Sequence, residues 1–365
     1  MIMSKRFIYV MLILNMLTNI VAYVPMVLIE NRSNGSILAM ILAVPIGIII
    51  IYFFTRYMSN FPYMGLPEIL DKYTPKWFRL IFLFIQGVLW YVAGLVTLVA
   101  FTNISKQYIN PDMDELLIMV TFLIVIVFGA ILPSKKVLYA TEIILLLNLP
   151  FIAFIIFKSY FNEDLMWDSV RVAVTHFQEF PSFESISTAT FVYTGYTNLV
   201  IFNRLYKEVK VKYLWLVGVL GFFTLITTFI IPIGLNGFDG VESFTFPWIA
   251  TTEAMRIELG FIERISFLFL ALYINVSLAS VILHWHVGLE QLKSVFPAIK
   301  FKNKDIKPFI LVGTFALLGL VVQHFFQEKT IGDIAKVWMM LLLPAQIAGL
   351  VLLKILSIRK EKLSK

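Results

Sequence analysis

Apolar positions in this chain gather into ten stretches nearly free of charge, divided by short polar connections. They run Phe7–Ile29, Ile37–Tyr57, Phe78–Ile104, Leu116–Leu132, Val137–Phe157, Ile186–Phe202, Tyr213–Leu235, Ile265–Leu283, Phe309–Gln323 and Val337–Leu356. Most have about the ~20 residues that a helix needs to cross a ~30 Å hydrocarbon core. In lipid every backbone N–H and C=O must be paired within the protein, so each stretch is predicted to be helical. Two connections carry a pattern of their own. Met64–Tyr73 places Pro67 at a helix start and Leu66, Ile69, Leu70 and Tyr73 on one face, which predicts a short interfacial helix. Phe244–Gly260 opens with Pro247, stays semi-apolar through Trp248, Ile249 and Met255, and predicts a second short helix on the opposite side.

Composition agrees with a bilayer as solvent. The 365 residues are 59% apolar and 15% charged, against about 45–50% and about 25% in soluble domains. A soluble enzyme, a disordered chain and a nucleic-acid-binding domain are excluded. The net charge of +7 is explained by where the basic residues fall. With the N-terminus inside, 22 Lys and Arg lie in inner segments and 8 in outer ones, which predicts cytoplasmic N- and C-termini. The basic excess then faces the anionic inner leaflet, and no nucleic-acid partner is implied. With no cysteine there is no disulfide framework or thiolate nucleophile. The first stretch is too long for a signal-peptide core and carries Asn15, Thr18 and Asn19, so it is read as a retained span.

Ten spans divide into five plus five. Residues 1–365 are thus expected to form one all-α polytopic membrane domain, an inverted repeat of about 7–157 and 186–356. In such transporters the pointer to a binding site is a pair of interrupted spans at matching positions in the two halves. Spans one and six are those positions. Span one carries Asn15, Thr18 and Asn19 before Pro25, and span six carries Tyr193-Thr194-Gly195-Tyr196. A helix unwound in lipid frees amides and carbonyls that can hold a small zwitterion, with Tyr193 and Tyr196 walling the cavity. Asn and Thr also serve as hydrogen-bond glue between helices, and both readings stand for Asn15 and Thr18.

Tyr91 and Gly94 in span three and Asn275 in span eight are further candidates to line the cavity, Asn275 because an amide at mid-depth calls for a partner inside the bundle. Glu142 is an intramembrane carboxylate, read either as a shallow ion pair with a cytoplasmic Lys or Arg or as a proton relay. His284 and His286 flank Trp285 and read as an interfacial belt, since no further His or Cys completes a metal site. Glu263 and Arg264 read as a charge pair at the outer mouth of span eight. No nucleotide loop, catalytic triad or metalloprotease helix is present, so neither an enzyme nor a cofactor is expected.

The stretch Phe246-Pro247-Trp248-Ile249, continuing through Glu253 to Arg264 and into Phe267-Leu268-Phe269, resembles the endospore germination permeases, the B subunits of spore germinant receptors. Phe61-Pro62, Leu66-Pro67-Glu68-Ile69-Leu70, Glu142-Ile143 and Thr194-Gly195-Tyr196 agree with it. That family is similar to the amino acid–polyamine–organocation transporters. The resemblance implies a nutrient sensor of the spore inner membrane, taking amino acids above all (in some members sugars or nucleosides). It implies an A subunit and a C-subunit lipoprotein as partners. It places the ligand between spans one, three, six and eight, at Thr18, Asn19, Tyr91, Thr194, Gly195, Tyr196 and Asn275, with Phe246–Gly260 as a lid. The chain departs from the family in span one, where Asn15-Met16-Leu17-Thr18-Asn19 stands in place of the usual glycines. A working amino-acid permease and a scaffold with an idle or ion- and water-conducting pocket are the alternatives.

Overall fold

The computed structural model describes residues 3–255, 265–302 and 304–363. Helix occupies all ten predicted stretches. The first is split into α1 (Arg6–Thr18) and α2 (Tyr23–Glu30), bent by 54° at the break. There follow α3 (Ser36–Met58), α4 (Leu66–Tyr73), α5 (Lys76–Tyr108), α6 (Glu115–Ile131), α7 (Ser134–Tyr160) and α8 (Trp167–Thr175). The sixth stretch is divided into α9 (Phe183–Phe191), a 3₁₀ segment Thr194–Asn198 and α10 (Leu199–Phe202). The chain continues with α11 (Leu214–Asn236), α12 (Pro247–Ala254), α13 (Ile265–Lys293), α14 (Lys307–Phe325) and α15 (Glu328–Leu363). Seven of the described helices are long and apolar enough to cross a membrane, and the bent pair α1–α2 makes an eighth. Helix α6, at 17 residues, is shorter. Two features were not expected from the sequence. One is α8; the other is an antiparallel pair of two-residue strands, β1 (Lys300–Phe301) and β2 (Lys304–Asp305).

Large apolar side chains point outward along the helices: Phe128, Leu147, Trp215 and Leu317 are all exposed. In water such a surface would aggregate; in a bilayer it is the solvated face. Helix α13 packs along α5, α6 and α7, and α15 packs against α3 and α9. The predicted interfacial helix is present as α4, with Leu66, Ile69, Leu70 and Tyr73 buried. Its start is set by Pro67 in the first turn and by the Glu68 carboxylate, which accepts the Gly65 N–H at 2.8 Å. Of the predicted Phe244–Gly260 helix, Pro247–Ala254 is helical. Residues 256–260 of that stretch and the Glu263–Arg264 pair lie outside the described residues.

The break in span one falls at residues 19–22, just before α2, so Pro25 sits in the first helical turn, where no intrahelical N–H bond is lost. The break in span six falls at Thr194–Asn198, around Gly195. The break in span six is seated on the middle of α1, about two turns before the break in span one. A Cβ on Gly195 would lie 2.8 Å from the Leu12 Cα and 2.9 Å from the Met11 carbonyl carbon, so span six is seated directly on the backbone of α1.

A cavity between the second broken helix and spans three and ten

The carbonyls that the breaks release are taken up by side chains of the same chain. Asn15 donates its amide N–H groups to the Phe191 carbonyl at 2.9 Å and to the Val192 carbonyl at 3.0 Å. Thr228, from α11, donates to the Ile20 carbonyl at 2.6 Å. Asn198 donates to the Gly195 carbonyl at 3.2 Å. Thr18 and Asn19 turn back on Leu14 and Asn15 of their own helix, at 2.8 and 2.7 Å. Asn15 and Gly195 therefore join span six to α1, Thr18 and Asn19 bond within their own helix, and none of the four lines the cavity beside span six. In this arrangement the Phe191, Val192, Gly195 and Ile20 carbonyls are all paired within the chain.

The cavity lies on the other side of span six. It has a volume of about 70 Å³ and is walled by α5, the Thr194–Asn198 segment, α13 and α15. Thr194, Tyr196 and Thr197 face it from the break, as the sequence suggested for the first two. Span ten, absent from the expected set, supplies a whole wall through Trp338, Leu342, Ala345 and Gln346. Tyr196 is 1% exposed and its hydroxyl donates to Gln346 Oε1 at 2.6 Å, which ties the break to span ten. Trp90 donates its indole N–H to Asn198 Oδ1 at 2.9 Å and ties the break to span three.

The polar inventory of this cavity is short and uncharged. Thr194 and Thr197 spend their hydroxyl protons on the Phe191 and Thr194 carbonyls, at 2.8 Å each. His284 donates Nδ1–H to the Ser280 carbonyl at 2.7 Å, so its Nε2 carries a lone pair. Among the described residues, Nε2 of His284, the Gln346 amino group and the Gln86 amide have no protein partner, and all three residues line the cavity. No Asp, Glu, Lys or Arg does.

Several expected residues stand elsewhere. Tyr91 and Gly94 are turned away by about one residue's rotation, ~100°, from the cavity stripe Phe82, Gln86, Leu89, Trp90 and Ala93. Tyr91 instead packs against Trp285 and Phe315, with ring centroids 5.8 and 4.7 Å away, and Gly94 makes room for the Trp285 indole. Tyr193 points from the break toward α11, donating to the Gly218 carbonyl at 3.2 Å. Asn275 is not bundle-facing. It is exposed on the Phe267–Ala271–Asn275 stripe of α13 and donates to the Ala271 carbonyl at 3.0 Å, a bond within its own helix that removes the need for an outside partner.

The interfacial belt at His284–His286 is also corrected: Trp285 is 0% and His286 1% exposed. His286 donates Nδ1–H to the Ala130 carbonyl at 2.9 Å and accepts from Ser134 at 2.8 Å, so the pair is structural core. Glu142 is held by Arg6, with Nε–Oε1 2.8 Å and a second bond of 3.0 Å, and is 12% exposed. Pro247 opens α12, and Trp248 is fully buried, stacked on Phe269 at 5.7 Å. Gln86 and Gln346 were missed although each is a lone amide in an apolar span, the same signal that singled out Asn275.

A cavity beside a broken helix, inside a bundle of apolar helices that turns its large side chains to lipid, defines a multi-pass membrane protein of transporter-like fold. Among solved structures the chain is similar to Mhp1, a nucleobase-cation-symport-1 family transporter in a closed conformation with bromovinylhydantoin bound. The TM-score is 0.55 at 12% identity, covering 96% of this chain and 77% of that one, a likeness of fold. The chain belongs to the spore germination protein family, whose model matches residues 2–326. No curated protein matches it.

Proposed function

We propose that this protein is the permease-like subunit of a spore germinant receptor, which binds a small nutrient in the cavity beside the second break and passes the signal to partner subunits. The observation that carries the reading is the set of unpaired polar groups, from Gln86, His284 and Gln346, that converge on an otherwise apolar cavity against Tyr196 and Thr197. The architecture that goes with it is ten spans in two inverted five-helix repeats, with both termini cytoplasmic, in the spore inner membrane. The matched breaks and the 22 to 8 distribution of basic residues support that arrangement. An A subunit and a C-subunit lipoprotein are the partners. The segment around Pro247 and Trp248 acts as the lid. Binding shifts the balance of two conformations only by the difference in nutrient affinity between them.

The lining narrows the nutrient. An amino acid would bring two charges into a cavity with no counter-charge, at a desolvation cost of several kcal/mol per ion. An uncharged polar nutrient meets two amides and an imidazole lone pair without that cost, and at about 70 Å³ the cavity suits only a small one. Of the classes named above, the uncharged ones suit this lining better than a zwitterion. The hydantoin in the Mhp1 structure is likewise a compact ring built on amide groups.

A thermal-shift screen of the purified protein against amino acids, sugars and nucleosides tests this. A ligand at 100 times its Kd stabilises by about 2.7 kcal/mol. The reading expects a shift from an uncharged nutrient, lost in Ala345→Phe, which fills the cavity. A shift that survives Ala345→Phe places the ligand elsewhere and refutes the site. Uptake of labelled nutrient by vesicles holding this protein alone separates a working permease from a sensor. Nutrient-dependent germination that persists in a well-assembled Ala345→Phe variant would establish the scaffold with an idle pocket.

A further inference from the structure

A second cavity, of about 720 Å³, opens at the far end of the bundle, between the end of α2, residues 241–247 and the first turns of α15. The distribution of basic residues assigns this end to the outer face. It shares no lining residue with the nutrient cavity.

Its walls are acidic and incompletely paired. Glu30 is held by Lys336 at 2.5 Å, and Glu242 by Arg32 at 2.6 Å. Glu328 and Asp333 have no cation within 4.0 Å among the described residues, and Lys329 is the remaining basic residue of the wall. Neighbours in sequence on α15, Glu328 and Lys329 point to different faces of the helix and do not neutralise each other. Two buried polar atoms there also lack partners. Tyr23, on the first turn of α2, is 5% exposed and lines the cavity, yet its hydroxyl has no hydrogen bond; one carboxylate oxygen of Glu328 is likewise buried and unpaired. A buried hydroxyl or carboxylate left unpaired is costly, so such groups together mark a place where something else completes them.

The complement of an unpaired carboxylate with a phenol oxygen beside it is a compact cation that can donate several hydrogen bonds. A divalent metal fits poorly, because the described residues include no group of three or more His, Cys, Asp or Glu side chains able to hold one. A primary ammonium, with three donors and one charge, fits Glu328 and Tyr23 with Asp333 in support.

We propose that this vestibule is a second binding site, recognising the ammonium group of a small solute through Glu328 and Tyr23, separate from the uncharged nutrient cavity. Tyr23 opens α2, directly after the break in span one, whereas the nutrient cavity adjoins the break in span six.

The test uses the full-length protein in detergent, with ethylammonium and propionate as probes followed by saturation-transfer NMR. Ethylammonium is expected to bind saturably and propionate not to. Glu328→Gln should weaken ethylammonium binding tenfold or more, and Tyr23→Phe, which keeps the ring and removes the hydroxyl, should weaken it several-fold. Gly313→Ala, where an added methyl meets nothing within 4 Å, serves as the unaffected control. Equal binding of propionate, no saturable binding of ethylammonium, or wild-type affinity in Tyr23→Phe each overturns the proposal. Tyr23→Phe decides the matter even where Glu328→Gln does not fold.

Discussion

Substituting Gly195 by alanine tests whether the two broken helices are sealed against each other. The added methyl would stand 2.8 Å from Leu12 Cα and 2.9 Å from the Met11 carbonyl carbon. Ordinary carbon contacts lie at about 3.5–4.0 Å. Both neighbours are backbone, so no side chain can rotate out of the way, and α1 must move from the break in span six by about 0.6–1.2 Å to reach that contact distance. Overpacking of this kind costs about 1–3 kcal/mol. The same displacement stretches the two bonds from Asn15 to Phe191 and Val192, now 2.9 and 3.0 Å. Each is worth about 0.5–1.5 kcal/mol. The sum is a loss of about 2–6 kcal/mol. At about 2 °C per kcal/mol, the low end for 150–250-residue domains and suited to a longer chain, the melting temperature should fall by about 4–12 °C. Tryptophan fluorescence during heating of the detergent-purified protein measures it, with Gly313→Ala as the control. If Gly195→Ala melts together with the wild type, the close seating of span six on α1 is wrong, and with it the claim that the breaks are closed from within.

Further outcomes follow from other contacts. Arg204, 23% exposed at its side chain, joins α4 to α13 by bonds of 2.8 Å to Glu68 and 2.6 Å to Glu290; Arg204→Met should destabilise by about 2–4 kcal/mol, and Arg204→Lys should recover little because one ammonium cannot span both carboxylates. Gln346→Leu leaves the Tyr196 hydroxyl buried without an acceptor, so a loss of about 1–3 kcal/mol in thermal melts is expected, along with loss of any nutrient-induced shift; a nutrient shift of wild-type size would remove Gln346 from the site. Lys5 and Lys210, at 2.8 and 3.0 Å, hold the Glu208 carboxylate down to about 2. Its lowered value means a stabilising contribution that is present above the unfolded carboxylate value of about 4.3 and lost as pH falls through about 2. The partners are half exposed, so wild type should exceed Glu208→Gln by under about 1 kcal/mol, a difference that vanishes on acidification and in high salt. A difference that grows with acid would reverse the assigned sign.

Composition along the chain was enough to locate the apolar helices and to assign them to lipid, because the hydrocarbon thickness and the obligation to pair every backbone group act on local composition. It also located both interruptions, since Asn, Thr, Pro and Gly within an apolar run betray a weakened helix whatever surrounds it. What it could not determine is which way each side chain turns. Tyr91 and Trp90 differ by one position and ~100° of helix rotation, and only the packing of Trp285 against Gly94 decides that Trp90 reaches the cavity. Asn275 obeyed the rule that a membrane amide needs a partner, but found it four residues back on its own helix, an option no pattern excludes. The carbonyls freed at the breaks were expected to await a ligand; tertiary structure gave them Asn15, Asn198 and Thr228 instead. A one-dimensional pattern shows that a polar group must be satisfied, and only the three-dimensional arrangement shows by whom.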